Sequence, residues 1–327
     1  MESKYYLGID IGGTKCAVIA ARESMEILNK KGFPTEAGNG PLHAINLLLQ
    51  NAKLITGKLG MQGLQSIGIS CGGPLDSKLG VVQSPPNLPG WDNIPIVKIF
   101  EDAFNVPAYL QNDANACALA EWKFGAGKGC DNMIFLTFGT GMGAGIIADG
   151  RLYSGTNDLA GEVGHIRLAE DGPEAYGKKG SFEGFCSGTG IAKTAKSIIS
   201  KKLAAGETVT LINNVTDIDN ITTKNIADAA SKGDKTALEI FELSGRYLGK
   251  GLSILIDILN PQLIVIGSIY ARCRQFLEAP CMETIRQEAL EPARLVCRVV
   301  PAALGEQVGD YASISVAIVG IRSKNNN

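Results

Sequence analysis

Histidine is scarce in this sequence, and cysteine never occurs in closely spaced pairs. The 327 residues include two histidines and eight cysteines, and no two cysteines stand in a C-x-x-C arrangement. Zinc ribbons and thioredoxin-like redox motifs need such pairs, so neither is predicted. The scattered thiols are instead expected to behave as small core residues.

An excess of charge and a long uninterrupted apolar run are also missing. The 31 lysines and arginines nearly balance the 33 aspartates and glutamates, which gives no electrostatic reason to expect nucleic acid or an anionic membrane as a partner. The most apolar segments, 133–148 and 254–267, are interrupted by glycines or by Asp257 and Pro261, so no membrane span is predicted. The N-terminus has no basic region followed by an apolar stretch. We therefore expect no signal peptide and a protein of the reducing cytoplasm.

Strand-like and helix-like segments alternate along the chain, which is long enough for two domains. Predicted strands cover 5–10, 15–21, 65–70, 106–110, 132–138, 144–149 and 262–267, and predicted helices cover 41–59, 113–124, 189–203, 235–259, 276–290 and 305–322. Such interleaving indicates an α/β protein with layered sheets.

Two glycine-rich segments resemble each other. "LGIDIGGTKCAVIA" (7–20) and "IFLTFGTGMGAGIIADG" (134–150) each consist of an apolar run, a turn of glycine and threonine, and a second apolar run. The similarity favours a duplicated domain, while two unrelated glycine hairpins in an α/β protein remain the alternative.

The first of these turns has the residues of a phosphate site. Glycines at 12 and 13 let backbone N–H groups point into a concavity that can hold phosphate oxygens. Asp10 at the end of the strand can orient magnesium, directly or through water, because hard cations prefer carboxylate oxygens. Thr14 adds a hydroxyl and Lys15 a positive charge. The segment therefore predicts a site for the phosphates of a magnesium–nucleotide complex.

Other glycine motifs fail on spacing. Each Gly-Lys pair lacks a following Ser or Thr, which excludes a P-loop. In "GTGMGAG" (139–145), Ala144 or Ile146 stands where a dinucleotide-binding fingerprint needs its third glycine.

A further polar segment, "QNDANACALAEW" (111–122), opens a predicted helix. Either Asn112 or Asp113 can cap it. A carboxylate at a helix N-terminus also stays ionised and can accept a proton from a hydroxyl group. Downstream, Glu162 and His165 in "AGEVGH" and Glu183 in "GSFEGF" are polar candidates for a pocket that binds hydroxyl-rich ligands. A buried structural imidazole is the alternative for His165.

Six segments together resemble the ROK family of sugar kinases, within the superfamily of actin-like, hexokinase-like and Hsp70-like ATP-binding proteins. They are "DIGGTK" (10–15), "PPNLPGW" (85–91), "QNDANACALAE" (111–121), "TFGTGMGAGII" (137–147), "AGEVGH" (160–165) and "LIVIGS" (263–268). The resemblance implies a duplicated actin-like (ribonuclease H-like) ATPase fold with two α/β domains and a cleft between them. The implied N-terminal domain is 1–113, completed by a C-terminal helix at 305–327, and the implied larger C-terminal domain is 114–304.

The resemblance also assigns roles to individual residues. Asp113 is implied to be the catalytic base, and Asp10 to hold magnesium through water. The implied nucleotide contacts are Asp10, Gly12, Gly13, Thr14, Lys15, Gly139, Thr140, Gly141 and Gly267, and the implied sugar contacts are Gly72, Gly73, Asn87, Asn112, Glu162, His165 and Glu183. Ser268 stands where the family usually has a second glycine, and Gly72 where it usually has proline.

One departure from the family pattern concerns zinc. Most members carry a C-x-C-G-x-x-G-C-x-E segment that binds structural zinc together with a histidine, whereas this chain has "EAYGKKGSFE" (174–183). Tyr176 and Ser181 are poor zinc ligands beside thiolates. We therefore expect no zinc there, with packing around Tyr176 and Phe182 in its place.

The implied activity is ATP- and Mg²⁺-dependent phosphorylation of a hexose at the 6-hydroxyl. "PPNLPGWDNIPI" (85–96) favours glucose, while N-acetylmannosamine, N-acetylglucosamine, fructose and allose stay open. The family also contains sugar-responsive repressors with a helix-turn-helix domain ahead of the kinase-like part, for which Asp10 leaves no room here. A catalytically silent sugar sensor is a further alternative, and the resemblance implies a homodimer or homotetramer.

Overall fold

The structure, a computed structural model, describes residues 4–212 and 214–325, except for the side chains of Val215, Glu306 and 323–325. The strands are β1 (Tyr5–Ile11), β2 (Lys15–Ala21), β3 (Ile27–Pro34), β4 (Leu64–Cys71), β5 (Leu75–Asp76), β6 (Val81–Val82), β7 (Ala108–Asn112), β8 (Met133–Phe138), β9 (Met142–Ala148), β10 (Arg151–Tyr153), β11 (Glu174–Ala175), β12 (Lys178–Lys179), β13 (Leu263–Ile266) and β14 (Arg298–Pro301). The α-helices are α1 (Pro41–Leu59), α2 (Ile96–Phe104), α3 (Asp113–Phe124), α4 (Phe182–Phe185), α5 (Gly188–Ala204), α6 (Thr223–Ala230), α7 (Lys235–Leu259), α8 (Ile269–Glu288), α9 (Glu291–Val296) and α10 (Val308–Asn325). The predicted α/β class is confirmed.

Two five-stranded sheets share one strand plan, as the internal similarity predicts. The first has the order β3-β2-β1-β4-β7, and the second has the order β10-β9-β8-β13-β14. In the first, β1 pairs antiparallel with β2 and parallel with β4, which pairs parallel with β7. In the second, β13 pairs parallel with β8 and β14, and β9 pairs antiparallel with β10. The two glycine hairpins thus occupy equivalent places, which supports duplication over chance similarity.

The chain folds into two compact units. The first comprises the chain up to Gly129, Gly145–Ala160 and the chain from Ala303 onward, and the second comprises Cys130–Ala144 and Gly161–Ala302. The first unit extends beyond the expected boundary at residue 113, because α3 packs against α10. The expected C-terminal helix, 305–327, begins as α10 at Val308, and residues 326 and 327 lie outside the described part of the chain.

In the first unit, helices cover both faces of the sheet. Side chains of α1 and α2 pack with Leu7 and Ile9 on one face, while α10 packs with Tyr6 on the other. Gly68 permits this second contact, because a Cβ there would lie 2.0 Å from the Ser313 carbonyl oxygen. Since side chains alternate along a strand, Asp10 points to the same face as Tyr6, towards α10.

In the second unit, the core lies between the sheet and a group of helices. Buried side chains of β8 and β13 pack with those of α5, α7 and α8 in one cluster. Phe182 at the start of α4 is completely buried there, and a Cβ on Gly251 of α7 would lie 2.3 Å from its ring. Across the described residues, no helix is both long and apolar enough to cross a bilayer.

A buried carboxylate holds α3 to two loops of the first unit. Glu121 is 0% exposed, and its two oxygens accept hydrogen bonds from the backbone N–H groups of Ala126 (2.8 Å), Ala303 (3.2 Å) and Leu304 (2.8 Å). These loops lie near Gly129 and Ala303, where the chain passes between the units. The carboxylate therefore satisfies three backbone donors that no regular secondary structure would pair.

Replacing this carboxylate should destabilise the protein strongly. In Glu121→Gln an amide N–H₂ replaces one acceptor oxygen and faces backbone donors, so we expect a loss of about 2 to 4 kcal/mol in the free energy of unfolding, measured with urea. Glu101→Gln is the matched control, because its carboxylate also accepts from a backbone N–H, that of Ala108 at 3.1 Å, but is exposed. Equal losses in the two variants would contradict the assignment.

Candidate functional site

Asp10 lies on β1, one residue from its end, between β2 and β4. Its register partners are Ala17 on β2 and Ser70 on β4. A Cβ on Gly309, in the first turn of α10, would lie 3.8 Å from Asp10 Oδ2. The absence of a side chain at Gly309 thus leaves the carboxylate room beside the start of the helix.

The electrostatic surroundings of Asp10 disfavour its ionised form. Burial raises its pKa to about 7, with further increases from the negative charges of Asp113 and Asp310, and Lys15 and Lys30 only partly oppose them. Lys30 Nζ is instead paired with Asp310 at 2.6 Å. A buried carboxylate beside the carboxylates of Asp113 and Asp310 is suited to binding a cation, so the residues present fit a magnesium ion held through water.

The glycine turn after β1 is held in shape by Thr35, a residue that the sequence analysis missed. The Thr35 hydroxyl donates to the Gly12 carbonyl oxygen at 2.5 Å, and its backbone N–H donates to the Thr14 carbonyl oxygen at 3.0 Å. Both bonds are made to carbonyl oxygens of the turn, while the Gly12 N–H donates within the hairpin to the Lys15 carbonyl oxygen at 3.1 Å. Thr14 and Lys15 are exposed, as the predicted phosphate site requires.

Gly13 brings the glycine turn into contact with the "PPNLPGW" loop. A Cβ on Gly13 would lie 2.5 Å from the carbonyl oxygen of Asn87 and 2.7 Å from its Cβ, too close for any side chain. Two segments that the sequence analysis assigned to different ligands, phosphate and sugar, therefore touch within the first unit. The Asn87 side chain is exposed.

Asn112 and Asp113 share the junction between β7 and α3. Asn112 caps the helix, its side chain accepting a hydrogen bond from the Asn115 backbone N–H at 2.8 Å, which settles the choice between the two capping candidates. The amide N–H₂ of Asn112 can donate elsewhere. Asp113 Oδ1 accepts from the Ala114 backbone N–H at 2.8 Å.

The Asp113 side chain is accessible to solvent, but its carboxylate is partly desolvated by the surrounding protein. Its side chain has solvent access, yet the surrounding protein desolvates the carboxylate enough to raise its pKa, against the opposing effect of backbone hydrogen bonds. A raised pKa strengthens a carboxylate as a proton acceptor at neutral pH.

Two thiols close to these carboxylates are held in their neutral form. Burial raises the pKa of Cys71, and the charges of Asp113 and Asp10 raise it further. The same two carboxylates, after burial, raise the pKa of Cys117. Neither thiol therefore contributes a thiolate to the site.

Gly72 and Gly73 belong to the segment "CGGPLD" (71–76), which leaves open space at both glycines. A Cβ on either Gly72 or Gly73 would meet no heavy atom within 4 Å. Asp76 in the same segment is used locally, since its Oδ1 accepts from the backbone N–H groups of Lys78 and Leu79. The two glycines can therefore admit a ligand, while Asp76 shapes the turn.

In the second unit, Gly139, Thr140 and Gly141 form the turn between β8 and β9. The turn is anchored from α5, where the Gly188 N–H donates to the Gly139 carbonyl oxygen at 2.8 Å and the Thr189 hydroxyl donates to the Thr140 carbonyl oxygen at 3.1 Å. Gly188 and Thr189 both donate hydrogen bonds to carbonyl oxygens of the turn, as Thr35 does in the first unit. The predicted second phosphate loop is thus externally braced as well.

Glu183 also braces this loop. Its Oε2 accepts from the Met142 backbone N–H at 2.9 Å, and a Cβ on Gly141 would lie 2.9 Å from the same oxygen. Oε1 is left for other partners. The residue expected to contact sugar therefore lies directly beside the second glycine loop.

Glu162 and His165 are held against β9 by two glycines. A Cβ on Gly161 would lie 2.0 Å from the Ala144 carbonyl oxygen, and one on Gly164 would lie 2.4 Å from the Met142 carbonyl oxygen. Both functional candidates have exposed side chains. His165 is therefore not a buried structural imidazole.

The segment that departs from the zinc pattern forms the β11–β12 hairpin. Tyr176 stacks on the His165 ring with 5.0 Å between ring centroids, whereas Phe182 lies in the hydrophobic core. Within the described part of the chain, no three His, Cys, Asp or Glu side chains are grouped to hold a metal ion.

Gly267 follows β13, and Ser268 follows it with unusual backbone angles. A Cβ on Gly267 would lie 3.2 Å from the Phe135 ring. Ser268 has φ 52° and ψ −112°, a conformation that only glycine adopts without strain. The serine at this position is thus strained.

Ser268→Gly should stabilise the protein by about 1 kcal/mol, because glycine removes the Cβ that makes the backbone angles unfavourable. Urea unfolding measures the change. Ser268→Ala is the control: it keeps the Cβ, so we expect no comparable gain. An equal gain in both variants would mean that the hydroxyl, and not the backbone, is responsible.

Asp10→Asn should stabilise the apoprotein at alkaline pH. The pKa of Asp10 is raised from 3.8 to about 7 in the folded state, so its contribution to stability is full below pH 4 and is lost as the pH rises through 7. At pH 8 we expect the variant to be more stable by on the order of 3 kcal/mol, with the difference vanishing near pH 4.

Urea unfolding at pH 4 to 8, with divalent cations chelated, measures this difference. Asp102→Asn is the control, since Asp102 lies on the surface in an ion pair with Lys98. A pH-independent difference between wild type and Asp10→Asn would refute the electrostatic explanation.

Known proteins resemble this chain over most of its length. The ROK family model matches residues 6–316. The glucokinase of Halalkalibacterium halodurans is 32% identical over 297 residues, which is 89% of this chain and 88% of that protein. The xylose repressor of Caldicellulosiruptor bescii is 31% identical over 80% of this chain and 65% of its own length.

A solved structure extends the similarity to the fold. The ROK family glucokinase from Streptomyces griseus, determined in complex with glucose and AMPPNP, is 30% identical and superposes with a TM-score of 0.75 over 97% of this chain and all of that one. The predicted actin-like two-domain fold class is confirmed. Family model, relatives and fold agree, and the chain belongs to the ROK family.

Proposed function

We propose that the protein is an ATP- and Mg²⁺-dependent kinase that phosphorylates a hexose, glucose in first place, at its 6-hydroxyl. The observation that carries the proposal is the arrangement in the first unit. There Asp113, the proposed proton acceptor, is close enough to Asp10, the proposed cation ligand, to raise its pKa, and the glycine turn that follows Asp10 touches the Asn87 loop through Gly13. Phosphoryl transfer needs mainly such positioning and charge neutralisation.

Asp113 is the proposed general base. The sugar hydroxyl oxygen attacks the γ-phosphorus, the new O–P bond replaces the bond to ADP, and the hydroxyl proton passes to Asp113. Its raised pKa suits this role, because a base works best when its pKa lies near the working pH. The bond from the Ala114 N–H orients the carboxylate by fixing Oδ1.

The phosphates are proposed to bind the two glycine corners. Thr35 ties down the carbonyl oxygens of Gly12 and Thr14, and the backbone N–H groups of Gly13 and Thr14 are the proposed phosphate donors. Lys15 adds a positive charge, and the second corner is the Gly139–Gly141 turn. Asp10 would hold magnesium through water, and the cation would neutralise the charge that develops on the transferred phosphoryl group. Gly267 would lie against the adenosine.

The sugar is proposed to bind polar groups from both units. In the first unit these are Asn87, the amide N–H₂ of Asn112, and the open turn at Gly72 and Gly73; in the second they are Glu162, His165 and Glu183. Glucose is favoured because glucokinases are among the similar proteins and one was solved with glucose. N-acetylglucosamine, N-acetylmannosamine, fructose and allose are the alternatives.

A sugar-sensing regulator without catalysis is the second candidate. The similarity to a xylose repressor at 31% identity favours it. Against it stand Asp10 and Asp113, whose electrostatic strain would serve no purpose in a protein that only binds sugar. Release of ADP on addition of sugar and ATP would separate the two candidates.

Asp113→Asn should abolish catalysis without unfolding the protein. Asparagine keeps the shape of the side chain but cannot take up the proton, so we expect kcat to fall about 10²- to 10⁴-fold with little change in KM for ATP. A coupled assay of ADP release, with glucose as substrate, measures both constants.

Asp234→Asn is the matched control for this test. Asp234 is also a carboxylate at a helix N-terminus, where it caps α7 by accepting from the Ala237 N–H at 2.8 Å, and it has no proposed role in catalysis. We expect it to retain kcat. Near-normal turnover in Asp113→Asn would mean that the base is misassigned.

A further inference from the structure

A large cavity lies within the first unit, away from the groups just discussed. It has a volume of about 1070 Å³ and is bounded by the exposed edge of β7, the C-terminal halves of α3 and α10, α2, and the Ser77–Gly80 and Gly150–Ser154 segments. Its residues on α3, from Leu119 to Lys123, follow Asp113 by six to ten positions. At 1.5 Å per residue that is about 9 to 15 Å along the helix, so the cavity is separate from the Asp113 site.

Positive charge dominates its lining. Five cationic side chains contribute to it, namely Lys78, Lys98, Lys123, Arg151 and Arg322. Glu101 is the single acidic side chain among the described residues that line it. Since the chain as a whole has a net charge of −2, this concentration is local.

Only part of this charge is neutralised by the protein itself. Lys98 is paired with Asp102 at 2.9 Å, and Arg322 is paired with Glu23. Lys78 and Arg151 form no ion pair with any residue that the structure describes. Their exposed side chains are therefore available to an anion.

The surroundings of Lys123 also show an excess of positive charge in the cavity. Its ammonium lies 3.2 Å from the centre of the Trp122 ring. Burial lowers its pKa, and the positive charge of Arg322 lowers it further. An anion placed between Lys123 and Arg322 would relieve the repulsion between them.

Aromatic groups complete the cavity. Trp122 and Tyr109 both line it. The Tyr109 hydroxyl is buried and has no hydrogen-bond partner among the described residues, an arrangement that is unfavourable unless a partner is supplied. Concave sites with apolar walls and a few convergent polar groups are typical of small-molecule binding.

We propose that this cavity binds a small phosphate-bearing molecule at a site distinct from that of the substrates. The phosphate groups contact Lys78, Arg151 and the Lys123–Arg322 pair, which suit multiply charged oxyanions. The remainder of the molecule packs on Trp122. This assignment does not depend on the proposed kinase activity.

Isothermal titration calorimetry with two probes tests the proposal. Inorganic tripolyphosphate and glucose 6-phosphate are titrated separately into the full chain, with AMPPNP and glucose present in excess to occupy the proposed substrate site. We expect at least one probe to bind with a dissociation constant below 1 mM (~10⁻³ M). Tighter binding of tripolyphosphate would identify an inorganic polyanion, and tighter binding of glucose 6-phosphate a phosphorylated metabolite.

Charge variants locate the binding site. Lys78→Ala/Arg151→Ala removes the two exposed cations that form no ion pair, and we expect at least tenfold weaker binding. Lys53→Ala/Lys58→Ala removes two exposed lysines of α1 that do not line the cavity, and we expect unchanged binding. Equal affinity in the two double variants, or binding of neither probe, would overturn the proposal.

Tryptophan fluorescence gives an independent readout. Trp122 lines the cavity, whereas Trp91, the other tryptophan, is 0% exposed in the core. A bound probe should change the emission of the wild type, and Trp122→Phe should lose that change while calorimetry still detects binding. An emission change that persists in Trp122→Phe would place the probe elsewhere and overturn the assignment.

Discussion

The repulsion between the carboxylates of Asp10 and Asp113 creates a need for positive charge in the first unit. The charge of Asp113 raises the pKa of Asp10, whose burial has already raised it. Lys30 compensates only in part, because it pairs directly with Asp310. A folded protein retains such strain when the strain is useful, and here a metal ion with a bound polyphosphate would relieve it. The glycine turn, Lys15 and the N-terminus of α3 all lie near these carboxylates, where positive charge is needed.

Close backbone contacts make this arrangement possible, and glycines permit them. The absence of a side chain at Gly68 lets α10 reach the sheet that carries Asp10, and its absence at Gly13 lets the turn touch Asn87. In the second unit, Gly161 and Gly164 do the same for the segment that carries Glu162 and His165. The glycine motifs thus have a demonstrable role in packing besides the proposed one in phosphate binding.

The local sequence pattern predicted strands and helices whose apolar residues recur regularly. It failed where the role of a residue depends on partners far away in the sequence. The bounds of β2, α1, α3 and α7 agree with the sequence analysis. β3 was missed, because its largely polar and exposed "ILNKKGFP" shows no clear apolar alternation. The role of Thr35 depends on partners 21 to 23 positions away, and that of Glu121 on a partner 183 positions away. No short motif predicts either role. Nor did any local pattern predict the cationic cavity, whose lining comes from six separate segments.

The neutral thiols under the carboxylates affect the chemical durability of the protein. Oxidants and alkylating agents attack thiolates, and burial, reinforced by the fields of Asp113 and Asp10, suppresses thiolate formation at Cys71 and Cys117. The negative charge that would recruit the metal ion thereby also shields the neighbouring sulfur atoms from peroxide. Oxidative damage at this site would be slowest in the resting protein, before any cation arrives to weaken that field.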